Sequence, residues 1–197
     1  MSSGAAPLAS PSTLAGSLWP ARDDARLSAL RAAVLMLFGT GLLALSAKIQ
    51  VPFYPVPMTM QTLVVLVIGA AYGWRLGGAT VGLYLVEGLL GLPVFAGAAA
   101  GPAYMAGPTG GFLIGFVVAA MMTGYVAERS RSLLVTVLAM AVAHTVLLAF
   151  GFAWLATLMP FAKAWAVGVA PFLLGTAVKI ALAAALMQVA WNALRLR

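Results

Sequence analysis

Apolar residues run through this chain in six blocks separated by short breaks, at roughly Leu30 to Ala47, Gln61 to Tyr72, Leu76 to Leu90, Gly110 to Ala127, Leu133 to Leu155 and Phe172 to Leu194. Four of the blocks have the length that crossing a hydrocarbon core of about 30 Å demands, near 20 residues of helix. The second and third are short, and the Gly73, Trp74, Arg75, Gly77, Gly78 cluster between them predicts a tight helical hairpin. The pattern predicts an all-α integral membrane protein with six transmembrane helices. The breaks fall into two kinds. Ile49 to Met60 and Leu92 to Thr109 carry no charge and are dense in Pro, Gly and aromatic residues. Water solvates such backbone poorly, so both predict structured loops folded over one mouth of the bundle. The turn at Gly107, Pro108, Thr109, Gly110, Gly111 needs the backbone freedom of glycine.

Composition agrees with this picture and narrows it. The 197 residues are 63% hydrophobic and 8% charged, with a mean hydropathy of +1.06, which excludes an ordinary soluble domain. A chain without cysteine has neither disulfides nor a thiolate metal site nor a Cys nucleophile. The net charge of +7 would suggest nucleic acid, but the basic residues are scattered at segment ends and form no patch. Instead Arg22, Arg26, Arg31, Arg75, Arg129, Arg131, Arg195 and Arg197 all fall at the N-terminus, the even connections or the C-terminus. The opposite connections carry only Lys48 and Lys163, so the positive-inside rule places both termini in the cytoplasm. Residues 1–28, rich in Ser, Ala and Pro at their start, read as a disordered cytoplasmic tail before a membrane domain at 29–197. They lack the charged start and clean apolar core of a cleaved signal peptide.

Inside the last apolar block one charge stands alone, Lys179. It lies roughly 10 Å in from Phe172 along a helix, too deep for easy snorkelling. A cation at that depth usually faces a bundle interior or cavity and marks a site for an anionic or strongly hydrogen-bonding substrate. The plainer use is a structural pair with Glu87. Thr176 shares nearly the same helix face at a spacing of three. Thr59, Gln61, Tyr104 and Thr109 are the polar groups of the two loops, as expected of a mostly apolar pocket with a few convergent polar groups, although Gln61 can equally cap its helix. Tyr84, one turn below Glu87, either walls that pocket or packs. His144, mid-helix in the fifth block, either makes an interhelical hydrogen bond or touches ligand. Without carboxylate or Cys company it makes no metal site. Glu87 and His144 fall at different depths, which speaks against an acid and base pair and so against an intramembrane enzyme. The halves show no inverted repeat, and the inner parts of the helices have too few polar groups for a pore.

The strings Gln50-Val51-Pro52, Val56 through Thr62, Tyr84 through Gly88, Gly91 through Phe95, Gly107 through Phe112, and Pro171, Phe172, Gly175 and Lys179 resemble the BioY family, the biotin-specific S components of energy-coupling factor transporters. The resemblance covers residues from about 30 to 190. It implies a six-helix protein of a prokaryotic cell membrane that captures biotin from outside with high affinity. A transmembrane coupling subunit and two cytoplasmic ATPase subunits would complete the transporter and leave a homo-oligomer open. This chain has no GxxxxGK[ST] phosphate loop, so ATP hydrolysis falls to those partners, and no cofactor is implied for the chain itself. The rival is an S component for a different small vitamin or carboxylate. Biotin offers a carboxylate, a ureido ring and an apolar thiophane. Lys179 can hold the carboxylate or the ureido oxygen, and Glu87 can accept the ureido N–H groups or pair with Lys179 or Lys48. Ala29 and Ala33, four apart, form a small-residue face, which in this family is where the coupling subunit docks. The chain departs from the pattern at Thr176, where many relatives carry an acidic residue three positions before the lysine.

Overall fold

The computed structural model describes residues 13–20 and 24–195. In chain order its elements are α1 (Leu14–Leu18), α2 (Ala25–Lys48), β1 (Gln50–Val51), β2 (Met58–Thr59), α3 (Gln61–Tyr72), α4 (Trp74–Leu89), α5 (Pro102–Ala106), α6 (Gly110–Ala127), α7 (Leu133–Leu158), α8 (Phe161–Gly168) and α9 (Phe172–Arg195). Each of the six apolar blocks is helical. Four of these helices, α2, α6, α7 and α9, are long and apolar enough to cross a membrane, and the chain is a membrane protein.

The boundaries differ from those read in the sequence where a cap or a connection intervenes. α2 starts at Ala25, because the Asp24 side chain accepts from the Arg26 amide at 2.8 Å and satisfies one of the free donors of the first turn. Part of the expected tail is therefore ordered. Ahead of it α1 is capped by Thr13, whose hydroxyl oxygen accepts from the Gly16 amide, and its Ala15 carbonyl accepts from Arg31. Arg22 and Arg197 lie outside the described residues. The connection after α7 holds α8, an amphipathic turn of helix the apolar blocks did not announce.

α3 and α4 meet at Gly73, whose φ of 84° suits glycine alone. The chain doubles back there, since a Cβ on Gly77 would sit 3.1 Å from the Gly69 Cα. At about 1.5 Å per residue the 12-residue α3 spans only about 18 Å, yet eight of its residues are buried. It packs against α2, α4, α6 and α9, so protein surrounds it where lipid would surround a longer span. The α3–α6 crossing is close because Gly69 lets the Ala120 carbonyl of α6 approach its backbone. α9 divides into two faces. Leu174, Val178, Leu182, Leu186 and Val189 are exposed at spacings of three and four, whereas Lys179, Ile180, Ala183, Ala184, Met187 and Trp191 are buried. Large apolar side chains in one continuous stripe belong against lipid. Lys179 is thus on the interior face.

Candidate functional site

The two uncharged loops cover one end of the bundle. In the first, β1 and β2 form an antiparallel hairpin with Gln50 opposite Thr59 and Val51 opposite Met58. The Lys179 ammonium reaches it from α9 and donates to the Thr59 carbonyl at 2.7 Å. In the second, Phe95 is fully buried between Tyr84, edge-on at 5.6 Å, and Tyr104, stacked at 5.1 Å between centroids. Its ring lies over Gly88, where any Cβ would collide with it. Lys48 at the end of α2 donates to the carbonyls of Pro93 at 2.8 Å, Phe95 at 3.0 Å and Gly97. The Trp154 indole of α7 donates to the Gly107 carbonyl at 2.8 Å and pins the turn that opens α6.

One hydrogen-bonded chain joins the two loops. The Thr59 hydroxyl donates to Gln61 Oε1 at 3.1 Å, Gln61 Nε2 donates to Tyr84 Oη at 2.6 Å, and the Tyr84 hydroxyl donates to the Val94 carbonyl at 2.9 Å. Together with the Lys179 bond to Thr59, this connects α9, the hairpin, α3, α4 and the second loop. Buried polar groups linked this way fix a unique geometry.

Beneath the loops lies a cavity. Val56, Pro57 and Thr59 of the hairpin and Ala96, Tyr104 and Thr109 of the second loop form its roof, while Gln61 and Thr62 come from α3. Its apolar walls are Phe112, Leu113 and Phe116 of α6, Leu147 and Leu148 of α7, and Phe172 of α9; His144 and Lys179 complete it. Burial pushes the pKa of the Tyr104 phenol up, which keeps its hydroxyl a donor.

Six of the nine sequence-selected binding residues line this cavity: Lys179, Thr59, Gln61, Tyr104, Thr109 and His144. Tyr84 and Thr176 stand behind it. Tyr84 holds Gln61 and the second loop, and Thr176 Oγ1 lies 2.9 Å from His144 Nε2, the interhelical bond read as one use of that histidine. Gln61 is not the helix cap, which is Met60 without a side-chain bond. Glu87 is not among the lining residues, and the only ion pair among the described residues is Arg129 with Glu128. The pairing of Glu87 with Lys179 or Lys48 is therefore absent; each lysine instead finds backbone carbonyls. Ala29 and Ala33 are exposed on α2. Sequence reading missed Thr62, whose buried hydroxyl has no partner, and the orphaned Nδ1 of His144. Both residues line the cavity. Thr62 carried a signal, since it directly follows Gln61 at the start of α3.

The family model for the BioY family matches residues 20–196. The chain belongs to the BioY family. It is 39% identical over 143 residues to a biotin transporter BioY of Rhizobium etli, covering 68% of this chain and 74% of the relative. It is 34% identical to a probable biotin transporter BioY of Pyrococcus horikoshii, over 66% of this chain and 76% of the relative. With a biotin transporter BioY of Thermotoga maritima it shares 39% identity over 47% of this chain and 55% of the relative. A crystal structure of the S-component for biotin from an ECF-type ABC transporter superposes with a TM-score of 0.73, covering 81% of this chain and 89% of that one. Sequence identity to it is 22%, so the likeness is one of fold.

Proposed function

We propose that this BioY-family protein takes up biotin, binding it in the cavity beneath the two loops as the S component of an energy-coupling factor transporter. The observation that carries the reading is Lys179, 7% exposed, the only Lys or Arg among the cavity residues and paired with no carboxylate among the described residues. A buried cation of this kind favours an anion as partner, and biotin brings one carboxylate on an apolar chain. The orphaned Thr62 and His144 atoms and the Tyr104 hydroxyl suit the ureido group, and the Phe112, Phe116 and Leu147 walls suit the thiophane. Thr176 takes the role of orienting His144, in place of the acidic residue that would have neutralised the lysine.

In this reading the six helices of the apolar blocks, α2, α3, α4, α6, α7 and α9, sit in the membrane of a prokaryotic cell, with both termini and the arginine-rich connections on the cytoplasmic side and the loops outside. Residues 29–197 form the binding domain and 1–28 the segment before it. A coupling subunit docks on the exposed Ala29 and Ala33 face, and ATP hydrolysis belongs to its two ATPase partners, not to this chain. The test is calorimetric titration of the purified, detergent-solubilised chain with biotin and with biotin amide. Tight biotin binding weakened at least tenfold in the amide supports a carboxylate held by Lys179. Equal binding of the two moves Lys179 to the ureido end, and no binding of biotin by folded chain would favour a different small carboxylate.

A further inference from the structure

A second cavity lies at the opposite, arginine-bearing end, where α1 meets the start of α2. Trp19, Pro20, Leu27, Leu30 and Arg31 line about 220 Å³ there, well beyond the roughly 10–15 Å³ that one water needs. Arg31 is 3% exposed. One guanidinium nitrogen donates to the Ala15 carbonyl at 2.9 Å, while its Nε is buried without a partner, and no described carboxylate lies within ion-pairing distance. Asp24, the nearest described acid in sequence, is turned to its own helix, accepting from the Arg26 amide. A guanidinium has five donors and always carries its charge, and burying it without an anionic partner is costly.

The walls say what kind of anion belongs there. Leu27, Leu30, Val34 and Leu37 are all exposed, at 41%, 60%, 44% and 62%. Their spacing of three and four places them in one stripe, running from the cavity along the outside of α2. Trp19, 45% exposed, stands at the rim, as tryptophan does at a membrane interface. An anion at Arg31 would have its apolar continuation laid along that stripe. We infer that this cavity binds the phosphate of a membrane phospholipid, with Arg31 on the phosphate and an acyl chain along Leu27, Leu30 and Val34. A carboxylate of a docked protein fits less well, because Arg31 is two residues from Ala29 and therefore points to the far side of α2 from the small-residue face.

The experiment uses the full chain, delipidated in detergent, with lipid retention read by native mass spectrometry and stability by thermal unfolding. Four additions are compared: phosphatidylglycerol, diacylglycerol with the same chains, glycerol phosphate and inorganic phosphate. Phosphatidylglycerol is expected to be retained and to raise the unfolding midpoint, diacylglycerol and the two soluble phosphates to do neither, and Arg31→Gln to lower retention at least tenfold. Undiminished retention in Arg31→Gln, or equal retention of diacylglycerol, overturns the proposal; the former is also the outcome if Arg31 serves a protein carboxylate. Saturation by soluble phosphate alone would replace the lipid by a free anion and overturns it as well. Should Arg31→Gln fail to fold, Leu27→Gln leaves the arginine in place and is expected to lower retention severalfold, and an unchanged value in that variant overturns the proposal.

Discussion

The two ends of the bundle use their cations differently. At the loop-covered end, Lys48 and Lys179 donate to backbone carbonyls of Pro93, Phe95, Gly97 and Thr59. At the other end, Arg129 lies 3.4 Å from the Tyr125 ring centroid, Arg131 4.1 Å from Trp191 and Arg75 5.0 Å from Trp74. The cause lies in the connections. A helix meets its own carbonyls, but the loops at 49–60 and 92–109 leave the regular ladder and expose carbonyls that need donors. A compact ammonium with three N–H groups serves several carbonyls at once, whereas a flat guanidinium stacks on a ring. At the arginine end the helices join through the single residue Gly73 and the short turn from Glu128 to Ser132, and the carbonyls that arginines serve there, Ala15 for Arg31 and Tyr125 for Arg129, belong to helices. One end is held by donors to irregular backbone, the other by helix packing with charges laid on aromatic faces.

The largest break in this contrast is expected from Lys179→Ala. It removes the cavity's only ammonium and the donor to the hairpin carbonyl together, and losing one partner of a buried charged contact costs about 2–5 kcal/mol. Biotin affinity measured by calorimetry should fall by roughly a hundredfold or more. A fall of less than tenfold would remove Lys179 from the site. Lys179→Arg should not restore binding, because the longer planar group cannot occupy the ammonium position between Thr59 and the cavity.

Much of this contrast can be read in the sequence, and the unreadable part has a definite cause. The six apolar blocks and the uncharged loops follow from local composition, and so does the lone charge in α9. Lys179, Thr59, Gln61, Tyr104 and Thr109 were found because polar groups in apolar surroundings are conspicuous. Glu87 was conspicuous for the same reason but lies outside the cavity wall, because charge identity says nothing of which way a helix turns its side chain. Likewise α1 and α8 were not legible: five and eight residues beside longer apolar runs give too little periodicity. Thr62 and the His144 Nδ1 count as site atoms only because their neighbours leave them unpartnered, a property of three-dimensional packing. The chain from Lys179 through Thr59, Gln61 and Tyr84 to Val94 joins residues far apart in sequence. No spacing rule reaches across it.

A smaller effect is expected from Lys48→Met, which keeps the length and apolar stem and deletes only the ammonium. Lys48 is exposed, so water replaces part of what its three carbonyls lose, and the cost is about 1 kcal/mol of local opening. The second loop should loosen while the helices keep their stability. Hydrogen exchange at Phe95, Ala99 and Gly101, whose amides bond within or beneath that loop, should quicken by roughly threefold to tenfold, with biotin leaving the cavity faster by a comparable factor. Unchanged exchange at all three amides would mean that Phe95, seated between Tyr84 and Tyr104, holds the loop without the lysine.

The smallest effect is expected where the arginine end is touched, and it tests whether the two ends are independent. Arg131 lies over Trp191 in α9, the same helix that carries Lys179, so a stiff α9 would transmit any disturbance at one end to the other. The stack is near the surface, where such a contact is worth about 0.5–1 kcal/mol. Arg131→Ala should lower unfolding stability by that amount. It should leave biotin affinity within about twofold, because eleven residues of helix, with the buried Ile180, Ala183, Ala184 and Met187 contacts, lie between Trp191 and Lys179, and sites that share no partner are nearly additive. A tenfold loss of biotin affinity in this variant would show that α9 moves as one rod. The loop end could then no longer be treated as a separately held structure, and its hydrogen bonds to Lys179 would have to be read as reporting on the arginine end as well.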